Sequence, residues 1–402
     1  MKDKRLVIIF LTVFIDLVGF GIIIPLNPYL AQNFGATPFQ VGLLMAVYSL
    51  MQFAFAPVWG HLSDRYGRRP IILWSLLGAA AAHTGFACAT SLWGLILART
   101  LAGVFGGNIS TAMAYIADIT PDKDRSKGMG LIGAAFGLGF VCGPFLGAVL
   151  ANVGMKLGDF PPLGQSFPAL VAGGICLLNA LFALKFLPES RVGQSSPVIQ
   201  TRKKRFARIF ASLNTPVLGT LMLLVFLSTF AMAHIEASLF IMMQDDFSWT
   251  LTQAGMGFAY VGVVMVITQG YLIRKMMPKY GERRLLIVGL VLSTLAYALI
   301  AAYAELWMIG VGVTLLGVGN GLVNPALSGS ISLLSGRDVQ GGNLGVSQSL
   351  SSLARILGPP SGGLLYQQTH AIPFVAASAL CGLGLLIAYN LRAQMPERGK
   401  ES

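Results

Sequence analysis

The chain has 402 residues, 55% of them hydrophobic and only 11% charged. That leaves too little polar surface to cover a water-soluble globule of this size, so the composition points to a lipid bilayer as solvent. The formal net charge of +12 raises nucleic acid as a partner, and the placement of the basic residues excludes it.

Apolar stretches of about 20 residues, the length a helix needs to cross a hydrocarbon core, recur along the whole sequence. Twelve are expected, near residues 6–30, 40–59, 71–90, 92–116, 128–151, 167–187, 215–241, 252–273, 285–303, 306–330, 342–366 and 371–391. Unpaired backbone polar groups are too costly in lipid, so each stretch reads as a helix, and the lack of alternating polarity argues against a barrel. The expected fold class is an all-α integral membrane protein with twelve transmembrane helices.

In chain order, the first span follows Lys2, Lys4 and Arg5 and is interrupted by Asp16. No small-residue cleavage pattern closes it, so it is expected to stay as an uncleaved span. Asp16 lies about ten residues in, or about 15 Å deep. Between spans 2 and 3 comes GHLSDRYGRRP, with Gly60, Asp64, Arg65, Gly67, Arg68 and Arg69. Gly60 suits a close helix approach, Asp64 suits a helix N-terminus, and Arg68 and Arg69 are expected to meet Asp118 at the end of span 4. Such a cluster would act as a conformational latch.

Span 4 carries Arg99 and Asn108, and span 5 has glycines at 133, 137, 139, 143 and 147, with Pro144 among them. Their spacing, mostly of four, lays a smooth stripe along one face, and the proline permits a bend. Gly137, Gly143, Pro144 and Gly147, with Gly358 and Pro359 in span 11, are the expected rocking interface. Span 7 contains His234 and Glu236, span 8 Gln269, span 10 Asn320 and Asn324, and span 11 Gln348 and Arg355. With Gln52 and Asn108 these amides are the expected polar lining of a cavity, interleaved with Phe20, Met113, Phe136, Phe230, Tyr260 and Met265. Interhelical amide bonding is the competing reading for each.

A charge at the centre of a span costs about 2.5 to 3.5 kcal/mol even on permissive scales. Asp16, Arg99, Glu236 and Arg355 therefore must face a polar cavity or pair with one another. A carboxylate at such depth that gains and loses a proton is what a coupling site requires, which makes Asp16 and Glu236 the coupling candidates. Arg99 is the natural counter-charge. Arg355 reads equally as an anion anchor or a tie between helices, and His234 as a hydrogen-bonding residue or a relay.

The sequence repeats itself. Leu92–Ile109 and Leu306–Val323 share Leu, Trp, Thr, Leu, Gly, Val and Gly at an offset of 214, and YGRR at Tyr66 returns as YGERR at Tyr280. Two six-helix halves, 1–187 and 215–402, are thus expected, joined by a cytoplasmic basic linker at 188–214. With both termini on one side, 25 of the 28 Lys and Arg residues fall on that side, which the positive-inside rule assigns to the cytoplasm. The basic balance then reports topology. Such parallel repeats are a transporter plan with the substrate site at mid-membrane.

No cofactor and no metal are implied. The four cysteines have no ligand spacing and read as packing residues, and no phosphate-binding GxxxxGK[ST] motif or nucleophile–base set is present.

On GHLSDRYGRR, RTLAGVFGGN (Arg99–Asn108), GAAFGLGFVCGPFLG (Gly133–Gly147) and DLVGFGIIIP (Asp16–Pro25), the chain resembles the major facilitator superfamily along essentially its whole length. Within it, the chain is similar to the twelve-span drug:proton antiporters of the tetracycline-efflux type. The resemblance implies that Asp64 meets the start of span 11. It also exposes departures. Where those exporters carry an acidic residue, a histidine and an aspartate in spans 3, 8 and 9, this chain has Ala82, Met265 and Ser293, and its Glu236 replaces an apolar residue.

The expected function is a secondary active transporter: a proton-coupled antiporter that exports drugs or other amphipathic molecules by alternating access. The alternative is a proton-coupled carrier of a sugar, peptide or organic anion, and a non-transporting receptor stands third. The expected partners are a small-molecule substrate, protons and the bilayer, with no nucleic acid. The chain is expected to work as a monomer in the bacterial inner membrane.

Overall fold

The computed structural model describes residues 4–120, 125–190, 215–335 and 340–391. The linker from residue 191 onward lies outside them, as do Lys2, Lys123, Arg337, Arg392, Arg398, Lys400 and the side chain of Phe136. Among the described residues every long element is a helix and there are no strands. Following the chain, these are α1 (Lys4–Asn33), α2 (Pro38–Tyr66), α3 (Arg68–Ala87), α4 (Leu92–Phe105), α5 (Ile109–Ile119), α6 (Arg125–Leu157), α7 (Phe167–Phe186), α8 (Pro216–Phe247), α9 (Leu251–Ile267), α10 (Ile273–Ala301), α11 (Leu306–Leu334), α12 (Gln340–Tyr366) and α13 (Ile372–Leu391).

Ten of the described helical stretches are long and apolar enough to cross a membrane. One of them, Leu251–Ala301, runs for 51 residues, more than twice what a crossing needs. It breaks at Gly281, whose φ of 72° lies outside the helical region, and so supplies two crossings. The other crossing is α12, which is helical throughout but too polar to qualify on apolarity. That brings the number of crossings to twelve.

Local sequence explains several boundaries. At α2, Thr37 Oγ1 accepts from the Gln40 amide at 3.3 Å while Gln40 Oε1 accepts from the Thr37 amide at 2.8 Å, a reciprocal capping box followed by Pro38. Removing the hydroxyl in Thr37→Ala is expected to cost about 1 kcal/mol, read as a lower melting temperature of the detergent-solubilised protein. Span 4 is broken by a tight turn at Gly106–Asn108, between α4 and α5. There α2 comes close: a Cβ on Gly103 would meet the Tyr48 carbonyl and one on Gly107 the Trp59 ring. A π-helical turn, Thr268–Leu272, joins α9 to α10.

The chain divides into two compact units, Met1–Pro197 with Met243–Gly262, and Val198–Met242 with Val263–Ser402. The first has a core around Ile9, Leu76, Tyr115 and Ile116, the second around Leu221, Leu286, Val323 and Ile331. The segment Met243–Gly262 belongs to the first. Tyr29 donates to the Trp249 carbonyl at 2.8 Å, and Thr252 donates to Asn152 at 3.0 Å. A Cβ on Gly255 would meet Ala148 and the Pro144 carbonyl.

The repeat is visible in the backbone. Gly67 and Gly281, 214 residues apart, both have positive φ, 100° and 72°, and each precedes a helical run. The side chains after them differ in sign: Arg68 in one copy, Glu282 in the other. Glu282 is buried, at the N-terminal turn where a carboxylate meets the positive end of the helix dipole. Packing repeats as well. Gly143 lies against Gly21 and Ile22 of α1, while Gly358 lies against Ala233 and His234 of α8.

Of the cysteines, Cys176 and Cys381 are buried, as packing residues are. Cys88 departs from that expectation: it is the exposed C-cap of α3, where the helix ends.

Candidate functional site

The loop between α2 and α3 folds around Arg68, which is buried. Its Nε donates to Asp118 Oδ2 at 3.1 Å, and its Nη1 reaches Asp64 Oδ1 at 2.9 Å and Ser63 Oγ at 2.6 Å. A rigid guanidinium fork is what three separate acceptors require. Ser190 also donates to Asp118, at 3.1 Å.

Arg69 does not join this pair. Its backbone amide and that of Arg68 donate to the two carboxylate oxygens of Glu189, at 3.1 and 2.9 Å, and its guanidinium reaches the Leu184 carbonyl. Glu189 thus caps α3, a role that sequence reasoning missed. It follows α7 in the chain and lies 121 residues from Arg68 with no local pattern to announce it. Asp64 pairs four residues ahead along the loop. A Cβ at Gly60 would meet nothing within 4 Å among the described residues. Arg65 lies over the Tyr66 ring at 5.2 Å.

Asp16, at mid-span in α1, is largely enclosed. Its Oδ2 accepts from Asn108 Nδ2 at 3.3 Å, so the break in span 4 delivers the partner. Thr12, Ile72, Leu76 and Ala112 close a small cavity around this pair, with room for about one water. Arg99 is buried as well, but its guanidinium sits over the rings of Tyr48 at 4.4 Å and Phe20 at 5.8 Å. Two aromatic faces offer cation–π attraction in place of water. Gln52 donates to the Gly106 carbonyl at 2.9 Å, which ties α2 to the same break.

In the second unit, His234 is buried and its Nδ1 lies 3.0 Å from Ser361 Oγ. That hydroxyl also approaches the Leu357 and Gly358 carbonyls at 2.9 and 2.8 Å. The hydroxyl has one proton to give among these neighbours, and the His234 tautomer sets the direction of the Nδ1 contact. Glu236, two residues on, is partly buried and points away from the His234 face, as an i,i+2 spacing on a helix requires. Asn320 is buried and donates toward Met232 Sδ at 3.4 Å. Gln269, in the π turn, and Asn324, Gln348 and Arg355 are exposed. Gln348, Ser352 and Arg355 lie along one face of α12.

The expected rocking glycines are engaged locally. Gly139, Gly143 and Gly147 seat against Leu17, Gly21 and Ile22 of α1, and Gly362 crowds the His234 carbonyl. The opposite face of α6 meets α9, through Val141 against Gly262 and Pro144 with Ala148 against Gly255. Gly137 is partly buried, and Pro359 follows Gly358 in the buried seam of α12. Ala82 and Ser293 are both buried core positions.

A helical membrane protein of twelve crossings, with carboxylate and guanidinium groups sheltered at mid-span, is the architecture of a secondary transporter. Residues 9–279 and 221–402 each match the Major Facilitator Superfamily, and the chain belongs to that family. It is 33% identical to the tetracycline resistance protein, class C, of Escherichia coli over 89% of this chain and 88% of that one. It is 28% identical to multidrug resistance protein 1 of Bacillus subtilis (strain 168), over 97% and 94% of the two chains. A solved bacterial homologue of the human lysosomal transporter Spinster superposes with a TM-score of 0.82 at 15% identity, covering 98% of each chain, and shares the fold.

Proposed function

We propose that this protein is a proton-coupled antiporter of the inner membrane, exporting amphipathic drugs by alternating access. The observation that carries the reading is the Asp16–Asn108 pair: a carboxylate at mid-span in α1, beside a cavity the size of a water, bonded by an amide from the broken helix that also holds Arg99. Similarity to tetracycline and multidrug resistance proteins supports export of drugs. Where the exporters it resembles carry acidic and imidazole groups this chain has Ala82, Met265 and Ser293, which favours lipophilic or cationic substrates over a chelated metal complex.

In this reading Asp16 exchanges the proton and Glu236 serves the second half. Exposed Gln269, Asn324, Gln348 and Arg355 border water rather than lipid, because polar groups in the hydrocarbon core are too costly. The rocking bodies are the two six-helix repeats, 1–187 and 215–402, joined by the 188–214 linker. The Arg68 cluster is the latch, and both termini are cytoplasmic. The protein acts as a monomer and catalyses no covalent chemistry.

The test is reconstitution in proteoliposomes with a pH gradient, following a panel of drugs together with internal pH. Drug addition is expected to drive a proton flux that Asp16→Asn or Glu236→Gln abolishes. Absence of any drug-elicited flux, or full flux in both variants, would sink the antiport reading. Drug-independent movement of a small anion, lost in Arg355→Ala, would mark a metabolite carrier instead.

A further inference from the structure

An apolar groove of about 290 Å³ runs between α3 and α7, lined by Pro70, Leu73, Trp74, Leu77, Leu181 and Leu184, with Arg69 at its mouth. Arg69 is the second residue of α3 and Leu184 lies two residues from the end of α7, so the mouth is at the helix ends. From there to Leu77 the groove descends eight residues, or about 12 Å, into the apolar zone. Trp74 is 64% exposed along it, and Leu77 and Leu181 are 44% and 54% exposed. In a membrane-spanning chain such a surface faces lipid.

We propose that this groove is a binding site for an anionic phospholipid, its acyl chain lying along Leu73, Leu77 and Leu181 and its phosphate held by Arg69. Two observations select this occupant. The trough is apolar over a length suited to an acyl chain, and the polar side chain in its lining is the Arg69 cation, with Glu189 held nearby at 3.1 Å by the Arg69 backbone amide. The Arg69 guanidinium spends one donor on the Leu184 carbonyl, and its buried Nε has no hydrogen-bond partner among the described residues. The neighbouring Arg68, by contrast, is satisfied by Asp64 and Asp118. Tryptophan at Trp74 suits the boundary between headgroup and chain.

The full-length protein reconstituted in vesicles tests this with phospholipids brominated on the acyl chain, which quench tryptophan on contact. The reading is the part of the quenching that Trp74→Phe removes. Brominated phosphatidylglycerol is expected to occupy the groove about fivefold more readily than brominated phosphatidylcholine, the preference one basic residue confers near a membrane surface. Arg69→Gln is expected to bring the two lipids to parity, with an unchanged circular dichroism spectrum. Parity in the wild-type protein overturns the proposal, as does an undiminished preference in folded Arg69→Gln. If that variant does not fold, the wild-type ratio decides alone.

Discussion

Gly143→Val is expected to lower the melting temperature of the solubilised protein more than any other single change considered for the first unit. A Cβ at Gly143 would lie 2.6 Å from Gly21 Cα and 2.9 Å from the Ile22 amide nitrogen, both backbone atoms of α1. A flexible side chain can swing aside, but a helix backbone cannot, so α1 and α6 must part along the seam that Gly139, Gly143 and Gly147 share. Overpacking of this kind costs about 3 kcal/mol. The comparison is Gly174→Val on α7, where a Cβ meets nothing within 4 Å, and which is expected to leave the melting temperature nearly unchanged. Differential scanning fluorimetry of the two variants gives the answer; equal melting temperatures would show that the seam yields.

Arg68→Ala carries the second large effect. It strips Asp118, whose side chain is 30% exposed, of its 3.1 Å charge-assisted bond and leaves it the hydrogen bond from the Ser190 hydroxyl. Hydrogen bonds to charged groups contribute about 2 kcal/mol each. The Asp64 arm adds less, because Asp64 is 55% exposed and well screened. Arg68→Lys is expected to recover only part of the loss, since an ammonium at one point cannot span Ser63, Asp64 and Asp118 together. A melting curve for Arg68→Lys that overlays the wild type would show that the charge suffices without the fork.

The fold was legible in the sequence because the bilayer allows so few solutions. Runs of about 20 apolar residues must become helices, and the offset of 214 between the halves could be read before Gly67 and Gly281 showed the same backbone turn. α12 lies near the limit of apolarity as a guide: it reads as a span despite its Ser, Gln and Arg residues, and Gly358 with Pro359, the counterparts of Gly143 and Pro144, places it in the repeat.

Less of the candidate site was legible. Sequence pointed to Asp16 and Arg99 as buried charges, yet could not tell that Asn108 would take the carboxylate while two aromatic rings would take the guanidinium. Those partners come from three different helices, and nothing in local spacing encodes which will meet. Glu189 was invisible for the same reason. By packing, Met243–Gly262 groups with the first unit, where Gly255 and Gly262 are small enough to let α9 settle on α6.

That last arrangement bears on what would happen to a protein severed in its linker. A fragment ending before residue 191 would keep Tyr29, Asn152 and Ala148 but lose Trp249, Thr252 and Gly255, the groups that complete them. Each piece would carry a surface whose complement was made on the other. Expressed separately the fragments are orphans, whereas co-expressed they have a built-in means of finding one another, much as two plasmid-borne halves restore a split gene product.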